Sequence, residues 1–203
     1  CYKRGGVTCP CYAVTGDHRF YHAVMGAHRC QAVTPSDLAT ALMALDADVV
    51  IAGDGARREL PMGRFFTGPG ETALRRGEIL AEVRVPAAAR RRVGRFEKLR
   101  LWEGDFAVAS VAASLDLGQD GSVRDARVVL GAAAPTPFRA REVERALMGR
   151  RLDAETIGLA AESWTEGAHP LAGNEWKIDA TVGLTERCLA RCGDSRGATG
   201  GVA

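Results

Sequence analysis

Residues 95–130 read RFEKLRLWEGDFAVASVAASLDLGQDGSVRDARVVL, and this stretch decides the fold. Polar and apolar side chains alternate over 95–100, residues 107–117 are small and apolar, and 123–130 form another largely apolar run. Alternation is typical of a half-buried strand, and a short unbroken apolar run is typical of a fully buried one. Because Gln119-Asp120-Gly121 supplies a turn, the sequence predicts a meander of three antiparallel strands.

Helical patterns follow this predicted meander. Ala140, Val143 and Leu147 share one face of a helix predicted over 139–148, and 155–164 and 178–192 are two further helical patterns. Strands followed by helices are typical of the α+β class. We therefore predict an α+β domain over 92–192, in which a three-stranded antiparallel sheet packs with helices, and a flexible tail over 193–203.

A second unit is predicted before this domain. Thr34-Pro35-Ser36-Asp37 supplies an N-cap for a helix of about three turns. Residues 49–60 have the pattern of a hairpin around Asp54-Gly55, and 78–85 alternate as a half-buried strand that Pro86 ends. This unit extends over 34–86, and the domain boundary is expected within 87–95, which lack an apolar pattern.

The composition, with 46% hydrophobic and 26% charged residues among 203, is typical of a globular protein. No window reaches the roughly 18 uninterrupted apolar residues of a membrane helix. The formal net charge of +2 argues against a nucleic-acid-binding protein. Neither a start methionine nor a secretion signal is visible at Cys1, so we interpret the chain as a fragment. Its expected compartment is the cytoplasm, with the periplasm as the alternative.

Four of the six cysteines lie within the first 30 residues: Cys1, Cys9, Cys11 and Cys30. Residues 1–33 lack a sustained period of 2 or 3.6, so we expect this segment to need an external organiser such as a metal. An iron–sulfur cluster takes thiolate ligands, usually four. The alternatives are a zinc site that adds His22 or His28, and ordinary reduced thiols. Cys188 and Cys192, at i and i+4 of a predicted helix, fit a buried helix face.

Four motifs occur in order along the chain. They are Thr34-Pro35-Ser36-Asp37-Leu38-Ala39, then Gly77-Glu78-Ile79-Leu80 with Val83-Arg84-Val85-Pro86, then Phe96-Glu97-Lys98-Leu99-Arg100 with Asp105-Phe106-Ala107, and Ala134-Pro135-Thr136-Pro137-Phe138-Arg139-Ala140. With these motifs the chain resembles the FAD-binding (medium) subunit of the molybdenum hydroxylases, the xanthine dehydrogenase, aldehyde oxidoreductase and carbon monoxide dehydrogenase flavoprotein family. The resemblance implies that 34–86 form the second half of an FAD-binding domain. Residues 92–192 would then be a domain like the carbon monoxide dehydrogenase flavoprotein C-terminal domain.

The resemblance implies an oxidoreductase subunit that transfers electrons. A large partner subunit would hold the molybdenum cofactor, a small one would hold [2Fe–2S] centres, and FAD here would pass electrons to an acceptor. No residue of this chain would then be catalytic for substrate oxidation. The alternative is a non-catalytic fragment that docks neighbouring subunits without flavin. Because Gly-rich phosphate loops of the family would precede Cys1, the isolated chain is expected to bind FAD weakly or not at all.

Four cofactor-binding residues are carried over from the resemblance: Ser36, Asp37, Leu80 and Lys98. Asp37 would hydrogen-bond a ribityl or ribose hydroxyl, and Leu80 would contact the flavin. Lys98 would lie near the isoalloxazine, where a cation stabilises negative charge on the reduced ring. From the residues alone, Ser36 and Asp37 form a plain N-cap and Leu80 is a strand core residue.

Residues 1–33 resemble a cysteine-bearing insertion found in a subset of the family, the periplasmic-type aldehyde oxidoreductases and 4-hydroxybenzoyl-CoA reductases. That insertion binds an extra [4Fe–4S] cluster in the flavin subunit. The resemblance makes Cys1 and Cys30 candidate ligands, together with Cys9, Cys11 or both.

Overall fold

The computed structural model describes residues 16–28 and 30–194. Its elements in chain order are α1 (Asp37–Ala44), β1 (Asp48–Gly53), β2 (Ala56–Pro61), β3 (Phe66–Gly68), β4 (Glu71–Thr72), β5 (Ile79–Arg84), β6 (Val93–Leu99), β7 (Ala109–Leu117), β8 (Val123–Gly131), β9 (Phe138–Arg139), α2 (Arg141–Leu147), α3 (Ala154–Glu162) and α4 (Trp176–Asp194). None of the helices in this described part is long and apolar enough to cross a membrane. The predicted α+β class is confirmed.

The first sheet has the strand order β2-β1-β5, and both of its strand pairs are antiparallel. β1 and β2 form the predicted hairpin, in which Gly53 pairs with Ala56 across a turn made by Asp54 and Gly55. These two residues have φ of 49° and 75°. Positive φ at both central residues is typical of a type I′ turn, which Asp-Gly adopts readily. The turn chemistry therefore sets the hairpin register.

One face of the first sheet is polar and exposed. Arg57 Nη1 of β2 lies 2.5 Å from Glu82 Oε1 of β5, and Arg84 Nη1 of β5 lies 2.9 Å from Glu59 Oε2 of β2. The pairs cross β1 above Val50, which lies opposite both glutamates. Water screens these exposed charges, so the pairs align the strands more than they stabilise them.

The opposite face of the first sheet is apolar and only partly covered. Val49 and Ile51 of β1 belong to a small core beside α1. Leu80 and Val83 of β5, which lie opposite Ile51 and Val49, are 41% and 38% exposed. The half-buried strand predicted over 78–85 is therefore wrong in its burial, because β5 forms an edge of the sheet.

The second sheet has the order β6-β7-β8-β9 and contains the predicted meander. The prediction of three strands is wrong by one. Phe138 and Arg139 pair with Leu130 and Val129 as β9, so the helix predicted from residue 139 begins at Arg141. This short strand pairs with an edge of β8 that a three-stranded sheet would leave open.

Both faces of the second sheet are covered. Helices α2, α3 and α4 pack on one face, over Leu115 and Leu130. Helix α1 packs on the other face, where Ala44 lies with Ala112 and Val129. A strand that is buried on both faces has no polar side, which is why β7 has an almost unbroken apolar sequence.

Residues 16–28 and 30–33 contain no named helix or strand, and they pack on the second sheet's domain. Ala23, Val24 and Met25 are buried. The backbone N–H of Val24 donates to the carbonyl of Ala133 at 2.8 Å, and that of His169 donates to the carbonyl of Val24 at 2.6 Å. Contacts with the protein itself therefore organise the described part of this segment.

Lys177 of α4 anchors the segment. Its fully buried ammonium donates to the carbonyl oxygens of Phe20 at 2.8 Å, His22 at 2.9 Å and Ala132 at 2.7 Å. Burial lowers the pKa of Lys177 to about 8. The charge is tolerated because each of the three N–H bonds has an acceptor.

An arginine cluster joins α1 to the second sheet. Asp46, which follows α1 and has φ of 54°, accepts from Arg92 Nη1 at 3.1 Å and from Arg127 Nε at 2.7 Å. Arg139 Nη1 lies 3.5 Å from its Oδ1. Asp125 completes the cluster by binding Arg92 and Arg127. Burial opposes ionisation of Asp125, but the hydrogen bond from Arg127 and the charges of both arginines outweigh it and lower the pKa of Asp125.

Candidate functional site

The site predicted from the sequence begins at the amino end of α1. Ser36 has an extended backbone, and its Oγ accepts a hydrogen bond from the N–H of Ala39 at 3.2 Å, so it is the helix N-cap. Asp37 occupies the first turn, where the helix dipole favours a negative charge. Leu38 follows and is 69% exposed. The plain cap role therefore accounts for the side chain of Ser36, but not for Asp37.

Small and hydroxyl-bearing residues hold α1 close to the second sheet. A Cβ at Gly131 of β8 would collide with the hydroxyl of Ser110 and would lie 2.5 Å from Thr40 Oγ1 of α1. Thr34 fixes the entry to the helix, because its Oγ1 donates to the carbonyl of Pro135 at 2.7 Å. These contacts set the amino end of α1 within reach of β6.

Lys98 of β6 and Asp37 of α1, 61 residues apart in sequence, form an ion pair. Lys98 Nζ donates to Asp37 Oδ2 at 2.6 Å and to the carbonyl oxygen of Asp105 at 3.0 Å. The side chains of Lys98 and Asp37 are 20% and 34% exposed. Partial shielding from water makes this attraction stronger than that of a fully exposed pair. The fold thus brings together two residues that the sequence nominates for one ligand.

The second oxygen of the Asp37 carboxylate lacks a partner. Its Oδ1 is buried and accepts no hydrogen bond from any residue in the described part of the chain. An unsatisfied buried acceptor costs about 1–3 kcal/mol, so this oxygen is suited to receive a hydroxyl donor from a ligand. Because Lys98 is already paired, such a ligand would meet an ion pair rather than an isolated cation.

Large apolar side chains are exposed beside this ion pair. In the loop after β6, Trp102 and Phe106 are each 62% exposed and Leu101 is 42% exposed. This loop contacts Lys98 through the carbonyl of Asp105. Exposed apolar groups with polar groups nearby are suited to a ligand or a partner. The combination fits a flat apolar ring system that bears a hydroxylated chain, and the residues present therefore fit a flavin.

Leu80 lies on the other sheet. It belongs to β5, pairs with Ile51 and is 41% exposed. Its interpretation as a core residue is wrong, because the edge position of β5 leaves the side chain open. The structure thus brings Asp37 and Lys98 into contact, with Ser36 as the N-cap next to Asp37. Leu80 lies on a strand of the other sheet.

Tyr21 and Asp105 belong to this neighbourhood, and sequence reasoning missed both as site residues. Tyr21 Oη donates to Asp105 Oδ2 at 3.0 Å. Burial, together with the hydrogen bond to Asp105 and its negative charge, raises the pKa of Tyr21. The two residues are 84 positions apart, so no local pattern signals their contact. The only signal is that both lie within stretches that carry the family resemblance.

Only one of the four amino-terminal cysteines lies within the described residues. Cys30 is half-buried and has a free thiol, whereas Cys1, Cys9 and Cys11 lie outside the described residues. Across 16–28 and 30–194, no three His, Cys, Asp or Glu side chains are grouped so that they could hold a metal ion. His22 and His28, the residues of the zinc alternative, therefore form no such group with Cys30 there.

Cys188 and Cys192 lie one turn apart on α4 and are fully buried. The hydrogen bond with Cys192 and burial raise the pKa of Cys188. A protonated, inaccessible thiol is unreactive. Both residues are core side chains, as the buried helix face predicts.

Two protein families match this chain in the order of its two units. Residues 21–88 match the FAD binding domain in molybdopterin dehydrogenase, and residues 95–192 match the CO dehydrogenase flavoprotein C-terminal domain. The matches leave 1–20, 89–94 and 193–203 outside. Together they cover most of β6 and α4, and every other named helix and strand of the described chain.

Proteins that are similar to this chain have names that correspond to these two families. The xanthine dehydrogenase FAD-binding subunit of Escherichia coli O157:H7 is 27% identical over 174 residues, which are 83% of this chain and 59% of that protein. The aldehyde oxidoreductase FAD-binding subunit of Escherichia coli K12 is 33% identical over 178 residues, 83% of this chain and 51% of that one. A solved structure of carbon monoxide dehydrogenase from Hydrogenophaga pseudoflava aligns with a TM-score of 0.70 and 30% identity, over 77% of this chain and 55% of that one.

This chain spans between half and three fifths of the length of these relatives. Within that span, the two domain families occur in the same order as the first and second sheets defined above. The chain belongs to the family of FAD-binding subunits of the xanthine and carbon monoxide dehydrogenases.

Proposed function

We propose that this chain is part of an electron-transfer subunit that holds FAD in a molybdenum hydroxylase. The observation that carries the proposal is the Asp37 carboxylate. Lys98 fixes one of its oxygens, and the other, buried oxygen has no hydrogen-bond partner among the residues that the structure describes. FAD, when bound, supplies the redox chemistry that passes electrons between iron–sulfur centres and an acceptor.

Asp37 and Lys98 have complementary roles in holding the cofactor. Asp37 Oδ1 accepts a hydrogen bond from a hydroxyl of the ribityl or ribose part. Lys98 uses two of its three N–H bonds on Asp37 and Asp105, and the third can donate to the ring. Ser36 orients Asp37 by capping α1. The exposed side chains of Leu38, Phe106 and Leu80 offer apolar contacts that exclude water from the ring.

Lys98 also adjusts the charge at the ring. A cation favours the reduced cofactor, which carries more negative charge, and Asp37 offsets part of that effect. Lys98→Met should therefore make the flavin harder to reduce.

The proposed partners are a molybdopterin-binding large subunit and a [2Fe–2S] small subunit. The support is that the relatives carry names of subunits or medium chains of such dehydrogenases. The exposed apolar loop that contains Leu101 and Trp102 is suited to a subunit interface. The same loop favours the second candidate function, a fragment that docks neighbouring subunits without flavin.

We also propose an extra [4Fe–4S] cluster whose ligands include Cys30 and cysteines from the set Cys1, Cys9 and Cys11. The support is the half-buried free thiol of Cys30 and the family resemblance of its segment. Anaerobically purified protein should contain about four irons and four acid-labile sulfides in that cluster, and Cys30→Ser should remove them. Stoichiometric zinc would favour the zinc alternative, and absence of both metals would leave ordinary thiols.

Flavin binding by this chain tests the proposed function. We expect weak quenching of flavin fluorescence, with riboflavin and FAD binding about equally, because the described site offers groups for the ring and the sugar chain. Asp37→Asn should abolish the quenching. Asp116→Asn, which breaks an exposed pair with Arg124 in the second sheet, is the matched control and should not change it.

Two outcomes would contradict the proposal. Sub-micromolar FAD binding that survives both Asp37→Asn and Lys98→Met would mean that the flavin lies elsewhere. Absence of flavin from this chain and from its assembled complex, with the complex intact, would favour the docking fragment.

A further inference from the structure

Hydrogen bonds fix the backbone on both sides of Tyr21. The carbonyl oxygens of Phe20 and His22, its two neighbours, both accept hydrogen bonds from the buried ammonium of Lys177, at 2.8 and 2.9 Å. The carbonyl of Tyr21 accepts from the N–H of Val33 at 3.3 Å. The Tyr21 side chain therefore projects from a fixed base, although the residues around it form no helix or strand.

The hydroxyl of Tyr21 binds the turn over 102–105. Tyr21 Oη donates to Asp105 Oδ2 at 3.0 Å, and Asp105 Oδ1 accepts from the N–H of Phe106 at 2.8 Å. The N–H of Asp105 donates to the carbonyl of Trp102 at 3.2 Å, which closes the turn. Because burial and Asp105 raise the pKa of Tyr21, its hydroxyl remains a donor throughout the neutral range.

The backbone of Asp105 continues the contact to the ion pair. Its carbonyl oxygen accepts from Lys98 Nζ at 3.0 Å, and the same nitrogen donates to Asp37 Oδ2 at 2.6 Å. The side chain of Asp105 thus faces Tyr21 while its main chain faces Lys98. Rotation of this one peptide would move the acceptor away from the ammonium.

We propose that Tyr21 is a positioning residue for Lys98: by holding the Asp105 turn, it couples the cysteine-bearing segment to the Asp37–Lys98 ion pair. The relevance to flavin rests on the proposed function, whereas the coupling itself does not. A change in how firmly the segment is held, such as one caused by occupancy of a metal site, would then alter the ion pair. The effect would pass from the Tyr21 hydroxyl to the Asp105 side chain, and from the Asp105 carbonyl to Lys98.

The composition of the chain makes a direct test possible. The sequence has three lysines, Lys3, Lys98 and Lys177, so labelling with ¹⁵N-lysine yields three ammonium signals that Lys→Arg variants can assign. Loss of one hydrogen bond changes a local opening equilibrium by about fivefold. We expect Tyr21→Phe to accelerate proton exchange at the Lys98 ammonium about fivefold while the Lys177 ammonium is unchanged.

Thr165→Val is the matched control. Like Tyr21→Phe, it deletes one hydroxyl that donates a hydrogen bond, since Thr165 Oγ1 donates to the carbonyl of Glu162 at 2.8 Å at the end of α3. It should leave the Lys98 signal unchanged. Asp105→Ala, which removes the acceptor side chain but keeps the carbonyl, should accelerate exchange at Lys98, and the double variant with Tyr21→Phe should add little more.

Three results would overturn the coupling. An unchanged Lys98 signal in Tyr21→Phe would show that the turn holds itself. Equal acceleration at Lys98 and Lys177 would show that the segment has merely detached, and an equal effect of Thr165→Val would show unspecific loosening.

A second measurement separates this coupling from the proposed function. In flavin-loaded protein, Tyr21→Phe should shift the flavin midpoint potential in the same direction as Lys98→Met, by a smaller amount. If the protein binds no flavin, the proposed function fails while ammonium exchange still decides the coupling. If flavin binds and its potential does not move although Lys98 exchange does, the coupling holds and Lys98 does not act on the ring.

Discussion

The sheets β6-β7-β8-β9 and β2-β1-β5 differ in what covers them. In the second sheet, β7 is buried at seven of its nine positions, between α1 on one face and α2, α3 and α4 on the other. In the first sheet, β5 is exposed at five of its six positions. Both strands carry apolar side chains that could face a core. Within the described chain, those of β7 are covered and those of β5 are largely exposed.

This difference shows where a ligand or a partner can act. A covered sheet provides a rigid frame, because its side chains are packed and cannot move independently. Many of the exposed large apolar side chains lie on β5 and on the loop after β6, and that loop contacts Lys98 of the ion pair. The second sheet therefore positions the candidate site, and the less covered surfaces supply its contacts.

The largest expected effect is the contrast between one substitution in each sheet. Leu130→Ala in β8 removes a fully buried side chain and should lower the free energy of unfolding by about 3–5 kcal/mol. Leu80→Ala in β5 should lower it by less than about 1 kcal/mol, because the side chain is already partly in water. Urea denaturation measures both, and equal losses would show that β5 is buried in solution.

The next effect concerns the junction between the amino-terminal segment and the covered sheet. Lys177→Met removes the donor that serves three buried carbonyls, and we expect a loss of about 3 kcal/mol. Hydrogen exchange should rise around Phe20 and His22 more than in β7 and β8. A gain in stability would instead mean that desolvation of the ammonium outweighs its hydrogen bonds.

A smaller effect is expected where α1 meets the second sheet. Asp46→Asn keeps a residue that tolerates the positive φ of 54° but removes the charge that faces Arg92 and Arg127. We expect a loss of about 1–2 kcal/mol, which diminishes in high salt. Asp116→Asn, at an exposed pair with Arg124, is the control and should have little effect. A loss independent of salt would show that shape rather than charge holds the junction.

The smallest effect is a pH dependence. The pKa of Lys177 is lowered from 10.5 to about 8, so between these values the unfolded chain binds more protons than the native one. Stability should therefore rise with pH in this window, by at most about 1.4 kcal/mol for each pH unit, and less because the three carbonyls favour the ammonium. Denaturation at about pH 8 and pH 9 measures the rise, which should be absent in Lys177→Met. A fall with pH that depends on Lys177 would contradict the lowered pKa.

Local chemistry made several elements predictable. Asp54-Gly55 determines its hairpin because few residue pairs accept two positive φ values, and Ser36 caps α1 because its side chain can reach the N–H of Ala39. The meander of β6, β7 and β8 follows from strand periods separated by turn residues. The fourth strand escaped prediction because β9 has only two residues, too few to show a period.

The candidate site was predictable only in part. The family resemblance nominated Asp37 and Lys98, but their contact, at 2.6 Å across 61 positions, depends on α1 packing against the second sheet. The place of Tyr21 depends on Lys177, whose carbonyl ligands come from two distant parts of the chain. Neither contact has a periodic signal in sequence.

By itself, then, the sequence determined the α+β class, the hairpin turn, the helix cap and the order of two family-like units, because each rests on residues within a few positions of one another. Tertiary structure decided which apolar faces are covered and that Tyr21 reaches the Asp105 turn. It also decided that Lys98 binds one oxygen of Asp37 while the other, buried oxygen has no partner within the described part of the chain. The physical reason is range: backbone dihedrals and periodicity are local, whereas burial and the pairing of charges depend on residues that only packing brings together.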